Sequence, residues 1–163
     1  MTLKLNLGCS YFKLPEFINI DSDPACEPEI VLDLKDIRTK FTYNSVDLIN
    51  AGHILEHMTR EESLQLLNDC FDILKPCCSI FVTVPNYEIA TKTLDWSAAE
   101  GIILGGGEHK QIFNDKKLYH LFSQSNFRYF YNIGLENIPY MVVSNMSNPV
   151  PDPWQSTMLG IKL

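Results

Sequence analysis

Residues 79–85, Ser-Ile-Phe-Val-Thr-Val-Pro, constrain this chain more than any other stretch. Apolar side chains fall at consecutive positions there, not at alternate ones, and prolines stand at 76 and 85. A short run of that kind reads as a strand buried on both faces, which is the habit of parallel sheets. A parallel sheet needs crossover segments to cover it. The rest of the chain must therefore alternate strands with helices.

It does so. LKLNL (3–7) alternates and runs into Gly8; FINID (17–21) reads as a second strand ending in an acid. Pro24 and Pro28 mark a loop, EIVLDL (29–34) a short third strand, and VDLINA (46–51) a fourth after a turn at Thr42 to Ser45. From about Arg60 the apolar positions Leu64, Leu67, Phe71 and Leu74 are spaced for an amphipathic helix, which Lys75-Pro76 ends. Residues 86–112 hold a possible helix and then Gly105-Gly106-Gly107; Asp115 is placed to cap a helix through Phe122. FRYFYNIGL (127–135) and STMLGIKL (156–163) read as two late strands, separated by a loop rich in proline and asparagine. The expectation is one α/β domain over 1–163, with a largely parallel sheet and an antiparallel edge at the C-terminal end.

Bulk properties narrow the partners. The net charge is −7, and seven carboxylates lie between Glu16 and Asp36. That surface repels phosphate backbones, so no nucleic-acid partner is expected. No run of about 18 apolar residues predicts a membrane span. MTLKLNLGCS reads as strand and turn, without the pattern of a signal peptide. The five cysteines are odd in number and lack a C-x-x-C spacing. Reduced thiols and a cytoplasmic setting are the expectation, with Cys70 packed as a small hydrophobe.

Three strand ends carry candidate chemistry. Gly8 after the first strand would let a ligand approach the backbone closely. Asp21 after the second could accept both hydroxyls of a ribose, and Asp33 after the third could accept an adenine amino group. Each of these could equally be an ordinary turn glycine or a solvated acid. His53-Ile54-Leu55-Glu56-His57 also matches the H-x-x-E-H pattern of inverted zinc peptidases. On a helix, its two imidazoles would share a face and could reach one zinc ion.

In order, LNLGCS, INID, LDL, NSVDLINAGHILEHM and ILKPCCSIFVTVPN resemble the class I S-adenosylmethionine-dependent methyltransferases, most of all small members of the type-11 group. The resemblance is close over about residues 3–86. EHKQIFNDKKLYHLFSQSNF (108–127) is similar to a later helix of the group. It implies a Rossmann-like three-layer sandwich and S-adenosylmethionine as cofactor. In that group L-E-H opens the helix after the fourth strand, so the two histidines do not share a helical face. No third zinc ligand is identifiable, and no metal site is expected. His57 is then expected to pack against the sheet or to bond a backbone carbonyl.

Carried over to this chain, the resemblance implies that Gly8 and Cys9 face the methionine part and that Asn6 is the polar residue of the first motif. Asp21 would hold the ribose; Asp33 and Leu34 would meet the adenine. Ala51 and His53 would lie nearest the sulfonium. His53 and His109 are the candidate catalytic bases, since histidine titrates near neutrality. His120 is expected at the surface or the core edge. The expected reaction is methylation of a small-molecule or glycan hydroxyl. Residues 86–112 and 136–155 would form the acceptor side or a lid, with Tyr87, Trp96, Tyr140 and Trp154 as candidate lining. A cofactor-binding relative without catalysis and a zinc hydrolase using HILEH remain alternatives.

The sequence departs from the group at three points. Ser10 replaces a second glycine. Only 12 residues separate Gly8 from Asp21, too few for a full crossover helix, so that helix is expected to be reduced or absent. A sheet face left short of cover there could be covered in a homodimer. Cys77-Cys78 replaces a glycine pair, so the turn must avoid positive φ or carry strain.

Overall fold

The computed structural model describes residues 2–133 and 154–163. The expected strand at 79–85 lies within β5, Leu74–Pro85, an interior strand of the sheet paired on both sides. The other strands of the sheet are β1 (Lys4–Leu7), β2 (Ile18–Asp21), β3 (Ile30–Val31), β4 (Val46–Gly52), β6 (Tyr129–Asn132) and β7 (Gln155–Ile161). The order is β3-β2-β1-β4-β5-β7-β6. Strands β1 to β5 pair in parallel, whereas β7 runs antiparallel to both β5 and β6. This is the expected mostly parallel sheet with an antiparallel C-terminal edge. The segment between β1 and β2 forms no helix, so the first crossover is reduced to turns.

The helices are α1 (Ile37–Lys40), α2 (Arg60–Ile73), α3 (Tyr87–Thr93), α4 (Trp96–Leu104) and α5 (Asp115–Gln124). The main core lies between the sheet and α2 with α5: Leu67, Cys70 and Ile73 of α2 and Leu118 and Phe122 of α5 meet Leu5, Leu7, Ile49 and Val82. Burial pushes the Cys70 thiol well above its ordinary value, as befits a small core hydrophobe. On the opposite face of the sheet, three asparagines at matched register form a ladder. Asn50 Nδ2 donates to Asn6 Oδ1 (2.8 Å), and Asn6 Nδ2 donates to Asn19 Oδ1 (2.8 Å).

Several local expectations need correction. The third strand is only two residues long, and Asp33 does not end it. Asp33 instead caps a 3-10 turn, Leu34–Asp36, by accepting from the Lys35 N–H. The residues that α2 buries are Ser63, Leu66, Leu67, Asp69, Cys70 and Ile73; Leu64 and Phe71 flank them, and Leu74 already belongs to β5. The helix is closed at its start by a capping box that the apolar spacing did not reveal. The Glu62 N–H donates to Thr59 Oγ1 (3.2 Å), and the Thr59 N–H donates to Glu62 Oε2 (2.8 Å). Thr59→Ala is expected to cost about 1 kcal/mol in urea unfolding; an unchanged midpoint would deny the cap its role. Asn114, not Asp115, caps α5; Asp115 accepts from Ser156 and from Asn86.

Lys75-Pro76 lies inside β5, because the chain passes straight from helix into strand at Leu74. Cys77 then adopts φ +63, the strained alternative. Its N–H donates to the Lys162 carbonyl (2.6 Å), which holds it there. Left-handed backbone costs an L-residue about 1–2 kcal/mol, and glycine returns part of that as lost chain entropy. Cys77→Gly is therefore expected to raise stability by about 0.5–1 kcal/mol. A lower midpoint in the same urea assay would contradict that strain.

Candidate active site

The strand order reverses between β1 and β4. Ligands of open α/β sheets bind at such a point, outside the carboxyl ends of the strands. A cavity of about 970 Å³ opens there, bordered by Gly8, Asp21, Asp33, Leu34, His53 and His57 among others. Its volume suits a nucleoside-sized ligand.

The end of β1 is shaped for close approach. Gly8 has φ +59, and a Cβ there would lie 2.9 Å from Ile54 Cγ1. Glycine is needed both for the turn and for the space. The next residues are fixed by Asp21, at the end of β2. Its Oδ2 accepts the Ser10 N–H (2.8 Å), and its Oδ1 accepts the Asp23 N–H (3.0 Å). Ser10 is held at φ +46 by that bond. Asp21 is thus a pre-oriented carboxylate on the cavity wall with lone pairs to spare. Asp33 borders the cavity too, paired with Lys35 (3.0 Å). The Lys35 N–H, then the Lys35 ammonium, hold the Asp33 carboxyl below its ordinary range.

Three of the expected cofactor residues sit behind the wall rather than on it. Asn6 is buried in the asparagine ladder and organises β1 against β2 and β4. Ala51 is a core residue. Cys9 is buried, its N–H donates to the Ile20 carbonyl (3.0 Å), and its own carbonyl accepts from Phe12 (2.8 Å). Burial, with Asp21 nearby, pushes its thiol up to about 11.

His53 follows β4 with φ +55, held by a bond from its N–H to the Thr83 carbonyl (2.8 Å). Its Nδ1 lies 3.0 Å from Glu56 Oε1. A carboxylate oxygen only accepts, so Nδ1 carries the proton and Nε2 is the basic nitrogen of the neutral ring. Glu56 is almost fully buried, at 1% exposure. This pairing was missed from sequence, although both residues stand inside the HILEH string. The Trp154 ring meets His53 edge-on at 5.9 Å. Tyr87 and Trp96 are exposed, and Tyr140 lies outside the described residues, as does almost all of the expected acceptor segment 136–155.

The HILEH string is not one helical turn. His53 ends the strand turn, Leu55–His57 is a 3-10 turn, and α2 starts only at Arg60. His57 is exposed and does not open α2; its backbone N–H donates to the Ile54 carbonyl (3.0 Å), and its ring stands edge-on to His109 at 4.7 Å. What brings His109 there is residues 110–111. The Lys110 and Gln111 N–H groups donate to the Glu56 carbonyl (2.7 and 3.1 Å). The Gln111 amide donates to the Leu55 and Met58 carbonyls (3.2 and 3.0 Å). His109, expected in a loose glycine-flanked loop, is held: its Nδ1 lies 2.8 Å from the Ile103 carbonyl. A Cβ on Gly105 would fall 2.4 Å from the His109 ring, so that glycine makes room for it. His120 is exposed, as expected.

No protein-family model matches the sequence, and no curated protein matches it. Solved structures do match in shape. A SAM-dependent methyltransferase from Archaeoglobus fulgidus has 15% identity and a TM-score of 0.71, over 99% of this chain and 86% of that one. A SAM-dependent methyltransferase from Methanosarcina mazei has 14% identity and a TM-score of 0.65, over 98% and 92%. The trans-methyltransferase CalH, in complex with SAH, has 13% identity and a TM-score of 0.63, over 99% of this chain and 51% of that one. The chain therefore has the class I SAM-dependent methyltransferase fold, a Rossmann-like α/β sandwich. It spans only about half the length of the CalH chain it matches.

Proposed function

We propose that the chain transfers a methyl group from S-adenosylmethionine to a hydroxyl of a small molecule or glycan. The observation that carries the reading is the His53–Glu56 pair at the switch point, 3.0 Å apart, on the wall that also presents Asp21. Asp21 would accept the ribose hydroxyls, Gly8 would let the donor lie close to the backbone, and Asp33 with Leu34 would border the adenine. Asn6, Ala51 and Cys9 would act from behind, by fixing the strand ends. Acidic groups on the wall, including Glu61, Glu62 and Glu108, suit a ligand that carries positive charge.

Bound there, the donor would supply an already activated methyl group. The chain must then place the acceptor hydroxyl in line and remove its proton. His53 Nε2, which is buried and has no hydrogen-bond partner among the described residues, would take that proton once the bound acceptor reached it. Glu56 would hold the ring in the tautomer that leaves Nε2 basic, and would stabilise the imidazolium that forms. Trp154, against the same ring, would flank the acceptor. A homodimer covering the sheet face left without a first crossover helix belongs to the same reading.

A second reading, a cofactor-binding relative without catalysis, draws support from the turn after β1. Ser10 is strained there, and both backbone groups of Cys9 are engaged within the protein. Calorimetric titration with S-adenosylmethionine and S-adenosylhomocysteine tests both readings, followed by label transfer to a panel of hydroxyl acceptors. Micromolar binding with turnover is the expected result. Binding without turnover on any acceptor would favour the second reading. No binding by folded protein would remove both.

A further inference from the structure

HILEH does not form a peptidase helix, yet the fold brings part of it to a third residue of metal-ligand type. Ligand atoms of Glu56, His57 and His109 all lie within 4.8 Å of one another. We propose that these three side chains bind a divalent transition-metal ion of the zinc class at the border of the cavity.

Three observations favour a ligand set over a chance cluster. First, Glu56 Oε2 is buried and has no hydrogen-bond partner among the described residues, while Oε1 is taken by His53. A buried carboxylate oxygen without a partner is costly, and a cation would satisfy it. Second, the tautomer of His109 is fixed in the way it is in metal-bound histidines. Its Nδ1 donates to the Ile103 carbonyl, because a carbonyl can only accept, and this leaves Nε2 as the neutral lone-pair nitrogen. Third, Gly105 leaves the space that this ring fills.

The geometry is near that of a bound ion. Zinc–ligand distances of about 2.1 Å in a tetrahedron put ligand atoms about 3.4 Å apart. The cluster would have to contract modestly. His57 is exposed and can turn, while Glu56 and His109 are held in place. Two histidines and one carboxylate with a further position open is a ligand set of catalytic zinc sites. It also suits manganese or iron(II).

His57 belongs to both the cluster and the cavity wall. An ion there could polarise an acceptor hydroxyl and make its proton easier to remove. That role rests on the methyl-transfer reading, whereas metal binding does not.

The test is titration of the metal-free protein with zinc chloride, without any methyl donor, and the visible spectrum after loading with cobalt(II). The variants are Glu56→Gln, His57→Ala and His109→Ala. His120→Ala serves as a remote histidine control and Cys77→Ser with Cys78→Ser as a thiol control. Circular dichroism checks that each is folded. One equivalent of zinc is expected, with affinity at least about tenfold weaker in each of the three cluster variants. His120→Ala and the double serine variant should bind like the wild type, and cobalt should show absorption free of thiolate charge-transfer bands. Either of two results would overturn the site: no zinc bound by folded wild type, or zinc lost only in the serine variant. If metal binds but methyl-donor titration fails, the site stands and the methyl-transfer role falls.

Discussion

Asp21→Ala should abolish measurable binding of S-adenosylmethionine and S-adenosylhomocysteine, a loss of at least about a hundredfold. Two hydrogen bonds from ribose hydroxyls to a carboxylate contribute about 1.5–3 kcal/mol each, and about 1.4 kcal/mol is a factor of ten. The same carboxylate also holds the turn after β1, through the Ser10 and Asp23 N–H groups. Its removal therefore frees Ser10 from φ +46 and loosens the floor of the cavity. Asp21→Asn separates the two effects. It keeps a side-chain oxygen for one N–H but loses the charge and half of the acceptor capacity, so an intermediate affinity is expected. Calorimetry reads the affinity and thermal unfolding confirms that the fold survives. Wild-type affinity in a folded Asp21→Ala protein would place the ribose elsewhere.

His53→Ala should lower turnover by about 10²–10⁴-fold, the usual contribution of a general base. Donor affinity should change by no more than about threefold, because His53 is assigned to the acceptor's proton and not to the ribose or adenine. Glu56→Gln should fall between wild type and His53→Ala. The amide oxygen can still accept from Nδ1, but it no longer offsets the charge on an imidazolium. Once an acceptor is found, single-turnover rates with saturating donor make the comparison. Full activity in His53→Ala would remove His53 from the reaction. The base would then have to come from elsewhere on the cavity wall.

Much of the framework could be read from local pattern. The apolar run at 79–85, the glycine after LKLNL and the acid after FINI each depend on a few neighbouring residues, and each stands where expected. The shortened first crossover followed from counting residues. The strain at Cys77 was one of two outcomes foreseen for a cysteine in a glycine turn. Local pattern did less well where tertiary packing chooses between similar options. The spacing of Leu64, Leu67 and Phe71 fits a helix, but the sheet takes Leu66, Leu67 and Cys70 as the buried stripe. The asparagine ladder had a visible signal, since LNL, INI and INA each place asparagine at the centre of an apolar strand. Its meaning appears only once the register aligns the three.

By itself, then, the sequence determined that the chain alternates strands and helices around a parallel sheet. It also set a glycine after the first strand and an acid at the end of the second, because periodicity and turn chemistry are properties of adjacent residues. Only the tertiary structure decided what those residues meet. The Asp21 carboxylate closes on Ser10, and Asn6, Ala51 and Cys9 withdraw behind the wall. Glu56 joins His53 on one side and approaches His57 and His109 on the other. His109 is 53 positions from Glu56 in the chain, and backbone bonds from Lys110 and Gln111 bring the two together. Contacts over such separations depend on how the whole sheet and its crossovers pack, and no local string records them.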